Sequence, residues 1–186
     1  MIDRRQRSTT KNQGPPLAET FSRLLIEADP QMRALAYSIL RDRDEMDDAL
    51  QIAYLKAFRE FGSFEGRSRF STWLHSIVYR TCIDEIRRRG RFEPTDFGQV
   101  AYHDELVVSD STNRIGDRDT VEAALDRLSP DQRAAVVLVD MQGFTFADAA
   151  DIVGVPVGTL ASRVSRARAA LRSTLGYPTC GRTDHA

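Results

Sequence analysis

The residues of this chain best equipped for chemistry are hydroxyls and guanidinium groups set close together: Thr159, Ser162, Arg163, Ser165, Arg166 and Arg168, with Ala161 among them. Such groups hydrogen-bond phosphate oxygens and base edges, and arginine can do so through two parallel donors. The elements that must position them are legible nearby. Leu160, Val164, Ala167 and Leu171 recur at helical spacing, which leaves the hydroxyls and cations on the opposite face. Upstream, Thr145 and Asp148 have the spacing of a capping box, and Phe146, Ala149, Ala150 and Val153 form the inward stripe of a shorter helix. Gly154 ends that helix, and Pro156 suits the first turn of the next. Two helices around a glycine turn, the second polar and cationic, are what helix-turn-helix docking in a DNA major groove requires. A corner of an ordinary helical bundle would use the same glycine and the same solvated face, so the rest of the chain must decide.

A second cluster joins an aromatic to cations: Phe64, Arg67 and Arg69 in a polar loop after Gly62, then Arg80, Arg87 and Arg88 further on. Phosphate contacts beside an aromatic surface are the combination that holds single-stranded bases. The run Arg87 to Arg89 before Gly90 equally suits the C-terminal dipole of a helix. Two helices frame this loop. From Asp44 to Phe61 the apolar residues Met46, Ala49, Leu50, Ala53, Tyr54, Ala57, Phe58 and Phe61 step at helical spacing, with Asp47, Asp48, Gln51, Lys56 and Arg59 opposite. From about Phe70, a second helix buries Phe70, Trp73, Leu74, Ile77, Val78, Cys82 and Ile86.

Composition sets the frame for both clusters. The 186 residues are 41% hydrophobic with a formal net charge of -1, which supports buried cores but not a membrane span. Met1 to Pro16 carries four cations against one acid and reads as a disordered basic tail with no apolar signal core, so a cytoplasmic location is expected. The 91–118 stretch has three cations against six acids, with Pro94, Gly98 and Gly116, and reads as a flexible acidic linker. The expected fold is therefore all-α: two small helical domains at 17–90 and 119–176, the second holding the helix-turn-helix, then a 177–186 tail. Two cysteines and three scattered histidines fit no metal or disulfide spacing. No Ser/His/Asp grouping or phosphate-binding glycine loop is present, so neither an enzyme nor a cofactor is expected.

The stretches from Asp48 to Phe58, Phe64 to Ile77 and Asp84 to Arg89 resemble the core-binding and promoter-melting domain of extracytoplasmic-function (group IV) RNA polymerase sigma factors. Those from Leu128 to Leu138 and Gly154 to Arg168 resemble the same family's domain that binds the upstream promoter element. The resemblance covers roughly residues 17–90 and 119–176, in order. It implies that Asp47, Asp48, Gln51 and Ile52 dock on the β′ clamp coiled coil of core RNA polymerase, and that the second domain sits on the β flap. It implies that Phe64, Arg67, Arg69, Arg80, Arg87 and Arg88 bind and melt the −10 element, the Phe64 to Ser71 loop capturing a flipped base. Thr159, Ala161, Ser162, Ser165 and Arg166 would then read the −35 element, with Arg163 and Arg168 on phosphates. Trp73 is expected in the core rather than on a base. The linker would thread toward the polymerase active-site cleft, and an anti-sigma factor is an implied partner of an otherwise monomeric chain.

Three positions depart from the family's pattern. Ile52 stands where an acidic residue is usual, Arg80 where asparagine is common, and Ala161 where a basic residue is common. Alanine can touch a thymine methyl but cannot make a bidentate contact to guanine, so an unusual upstream element is expected. Two rival readings share the residues: a helix-turn-helix regulator acting without polymerase, and a sigma-like decoy that sequesters an anti-sigma factor.

Overall fold

A computed structural model describes residues 17–66, 68–90 and 118–175, and all of its regular structure there is helical. The basic tail, Arg67, most of the acidic linker and the C-terminal tail lie outside the described residues. The first half is three helices: α1 (Leu17–Leu40), α2 (Arg43–Phe61) and α3 (Phe70–Arg88). The second holds α4 (Arg118–Asp126), α5 (Pro130–Val136), a π-helical turn (Val137–Met141), α6 (Phe146–Val153) and α7 (Val157–Thr174). Arg118, read from sequence as the last linker residue, thus opens α4.

Local chemistry fixes most boundaries. Asp42 caps α2 by accepting from the Glu45 amide at 2.9 Å. Ser129 and Gln132 form a reciprocal capping box before α5. Thr145 accepts from the Asp148 amide at 3.1 Å to start α6. Gly154 ends that helix at φ 71°, the left-handed conformation that costs glycine least.

Met32, Leu35 and Ile39 of α1 pack with Leu50 and Ala53 of α2 and Leu74 and Val78 of α3. Leu138, Ile152, Leu160 and Val164 fill the second half, and one apolar cluster continues through both. Two positions expected inward, Phe146 and Phe58, are not, and Met141 is exposed as well. Met141 is 67% exposed because the i→i+5 bond from the Gln142 amide to the Val137 carbonyl rotates the end of the helix away from the core. Phe146 lies at the first turn of α6 and is half-exposed; Phe58 is also half-exposed, though its ring meets Phe21 edge-on.

The halves pack directly, α3 against α6 and α1 against α5. Two arginines cross the seam in opposite directions. Arg133 of α5 is buried and donates to the Ile39 carbonyl at 3.2 Å, one of the carbonyls that α1 leaves unpaired at its end. Arg41, just past α1, pairs with Asp126 at 2.5 Å and donates to the Glu122 carbonyl at 3.2 Å near the end of α4. Arg41 does this with φ 59°, and it is the one non-glycine residue with positive φ among those described.

Candidate functional site

The polar face of α7 is largely as the spacing predicts. Ala161, Ser165 and Arg166 are exposed, and Thr159 and Ser162 are half-buried. The other two guanidinium groups are engaged. Arg163 pairs with Asp131 at 2.9 Å, and the second oxygen of that carboxylate accepts from the Tyr79 hydroxyl at 2.8 Å. Arg168 grips Asp140 with two bonds, 3.0 and 2.5 Å. Tyr79 lies on α3, so the cation expected on DNA phosphate is linked through Asp131 to the other half. Burial, then Asp131, raises the pKa of that phenol above its ordinary value, which keeps it a donor.

The loop between α2 and α3 forms an aromatic nest. Phe64 stacks on Phe61 with centroids at 6.3 Å, meets Phe70 edge-on and lies 4.9 Å from Trp73. Phe64 and Trp73 also line a shallow cleft with Glu60, Ser63, Glu65 and Ser68. Trp73, expected in the core, is therefore only partly buried and reaches that cleft. Two carboxylates, which sequence reasoning does not single out, stand among its lining residues, where arginines are expected. Arg69 is exposed at the N-cap of α3, and Arg80 and Arg87 are exposed along that helix.

Arg88 is held back. It donates to Glu85 at 3.1 and 2.7 Å, and Arg89 donates to the same carboxylate at 2.6 Å while also pairing with Glu45. Hydrogen bonding from Arg88, then Arg89, brings the Glu85 carboxyl down to about 2. These cations complement the end of α3, the structural role that the sequence leaves open.

Along α2, Asp48, Gln51 and Ile52 are exposed. Asp47 is not free, since Arg33 of α1 donates to it at 2.6 Å and to Asp29 at 3.0 Å. Tyr54 donates to Asp29 at 2.8 Å, so a shallow cleft runs along Arg33, Asp47, Asp48, Leu50, Gln51 and Tyr54. Sequence reasoning misses Arg33 because it assigns no helix at α1. Exposed Leu55 and Phe58 extend this face beyond Ile52 as an apolar strip. Among the described residues no group of three or more His, Cys, Asp or Glu side chains can hold a metal, and no helix is long and apolar enough to cross a membrane.

The described residues thus pair a helical half that carries an aromatic nest with one that carries a helix-turn-helix. Residues 25–92 match the family model for Sigma-70 region 2 and residues 118–171 that for Sigma-70 region 4. The chain is 42% identical to the ECF RNA polymerase sigma factor SigM of Mycobacterium tuberculosis over 87% of its length and 80% of the relative's. It is 34% identical to the ECF RNA polymerase sigma factor EcfG of Rhodopseudomonas palustris, over 86% and 87%. The chain belongs to the ECF RNA polymerase sigma factors. Among solved structures, it aligns with the sigma factor RpoE of Bartonella quintana, solved with the anti-sigma factor NepR, at TM-score 0.68 and 30% identity. That alignment covers 87% of this chain and 99% of the other, so it spans both halves together. CnrH, solved with the cytosolic domain of CnrY, shares the fold at TM-score 0.62 and 22% identity, over 87% and 91%.

Proposed function

We propose that this sigma factor binds core RNA polymerase through α2, with Asp48, Gln51 and Ile52 on the β′ clamp coiled coil. The Phe64 loop takes the flipped base of the −10 element, and α7 reads the −35 element. The observation that carries this reading is the nest of Phe61, Phe64, Phe70 and Trp73 opening onto a cleft, with exposed Arg80 and Arg87 on α3. Stacking on such rings is worth about 1–3 kcal/mol per base, enough to offset an unstacking cost of a few kcal/mol. Of the five described residues expected at the −10 element, Arg88 has the weakest support, because Glu85 already takes its donors.

Within α7, Ala161, Ser162, Ser165 and Arg166 face base edges, and Arg163 reaches phosphate only after leaving Asp131. An anti-sigma factor is the third partner in this reading, supported by the Bartonella relative that was solved with one. The chain contributes recognition and strand opening and no catalytic group of its own. Run-off transcription with core polymerase and mapped start sites tests it. Promoter-specific transcripts are expected only when the chain is added, and their absence with competent core polymerase would overturn the proposal.

A further inference from the structure

We propose that the cleft beside Phe64 selects its base through Glu60 and Glu65, whose carboxylates accept from an exocyclic amine: a base that bears one is captured, and thymine, which bears none, is rejected. The inference rests on the reading of this cleft as the seat of the flipped base, and deepens it by naming the chemistry of that base. Phe64 and Trp73, with ring centroids 4.9 Å apart, supply the aromatic part of the cleft, and Glu60, Ser63, Glu65 and Ser68 line the rest. Aromatic faces stack on any base and so choose none. Selection falls to the polar groups.

Most of those groups are acceptors. An ionised carboxylate can only accept, and Ser63 spends its hydroxyl proton on the Glu60 carbonyl at 2.8 Å, which leaves its oxygen as an acceptor too. Ser68 can donate or accept, and the indole N–H of Trp73 can meet a ring nitrogen or carbonyl oxygen, which every base offers, so neither favours one base. Cytosine at N4, adenine at N6 and guanine at N2 each present an amine to a carboxylate. Thymine presents one ring N–H flanked by two carbonyl oxygens, which repel it. A carboxylate set against those oxygens loses its hydration without gaining a partner, and the cost of that loss is the rejection.

The local backbone fixes these groups before DNA arrives. Glu60 lies in the last turn of α2, and the amides of Ser63 and Phe64 donate to the Glu60 and Phe61 carbonyls at 3.0 and 3.1 Å. Gly66 turns the chain directly after Glu65 with φ 68°. Two carboxylates thus flank the Phe64 ring on a short hydrogen-bonded turn, and that ring is itself stacked on Phe61. Little ordering remains to oppose capture of a base with a matching edge.

The test uses the full-length chain with core polymerase on a promoter found by run-off transcription. The −10 position that flips is located with 2-aminopurine, whose fluorescence rises as it leaves the stack. That position then carries cytosine or thymine, two bases of one ring size, and run-off yield is read for each. The wild-type chain should favour cytosine about fivefold or more. Glu60→Gln combined with Glu65→Gln introduces amides that can donate to a carbonyl oxygen, and should bring the ratio to within about twofold. Taking a ratio cancels the general gain from removing two negative charges near phosphate. Both residues are exposed, and should the double variant fail to fold, Glu60→Gln alone is read by the same ratio. A wild-type ratio near one, or an unchanged ratio in the folded variant, overturns the proposal. Transcription without base preference would sink this inference alone, whereas no transcription from any promoter would sink the promoter reading beneath it and this inference with it.

Discussion

Arg168 and Asp140 face each other through two parallel hydrogen bonds, joining α7 to the π-helical turn before α6. A bidentate pair that is roughly one-third exposed contributes about 0.5–1 kcal/mol. Asp140→Ala should lower Tm by about 1–3 °C. It should also free Arg168 for phosphate, steepening the salt dependence of log Kd for duplex DNA by about one unit. An unchanged slope would show that Arg168 never reaches DNA.

His75 should make the stability of the fold sensitive to acid. Its Nδ1 donates to the Ser71 carbonyl at 2.6 Å, and burial pulls its proton affinity below the ordinary value of 6.5, with the bonds to Ser71 and Gln142 opposing. Ser71, Gln142 and Phe144 surround the ring, and no charged side chain among the described residues contributes to that shift. The unfolded chain takes up the proton more readily than the folded one. The stabilisation is therefore complete above about pH 6.5 and lost as pH falls through the lowered value. Thermal unfolding should show a falling Tm between about pH 7.5 and pH 5.5, with a shallower slope in His75→Gln. Equal slopes in both proteins would count against the assignment.

Gly154 sits at φ 71° with open space where a Cβ would project. Gly154→Ala should therefore cost about 1–2 kcal/mol through the backbone alone, while Gly154→Asn should cost less because asparagine tolerates this conformation. Urea unfolding of the two variants separates them. Equal losses would point to a steric cause instead.

Phe64→Ala should reduce promoter opening roughly 5- to 100-fold, the equivalent of about 1–3 kcal/mol of lost stacking. Fluorescence of a base analogue placed in the −10 element reports the opening. Phe64→Trp should retain most of it, and a null effect of Phe64→Ala would remove this ring from the melting site.

Ala161 is exposed on α7, where a longer side chain has room. Ala161→Arg should shift base preference at one upstream position toward guanine, by about 1–3 kcal/mol of discrimination. Systematic promoter mutagenesis reads this directly, and an unchanged preference would sink it.

Much of the fold is legible in the sequence because its signals are local. The Ser129 and Thr145 caps, the Gly154 terminus and the stripes of α2, α3 and α7 depend on residues within a turn or two of one another. Helix α1 escapes such reasoning, and Pro30 lies within it, a residue that ordinarily marks a helix boundary. Spacing misplaces Trp73 because one side of its ring packs in the nest while another faces the cleft, a division that periodicity cannot express. The engagement of Arg163 by Asp131, or of Arg168 by Asp140, is likewise invisible to spacing. Each pair is separated by about thirty positions and joined only by packing.

The π-helical turn at Val137–Met141 is the shape a helix takes when it carries one residue more than a ladder of four-residue steps can count. Removing that residue would restore the regular ladder and swing the downstream chain by about 100° around the helix axis. Gln142 would then leave His75 and Gln31, although all three side chains would remain in the chain. The contact between the halves is thus encoded in residue count as much as in residue identity, so a single-codon deletion here would break it where many substitutions would not.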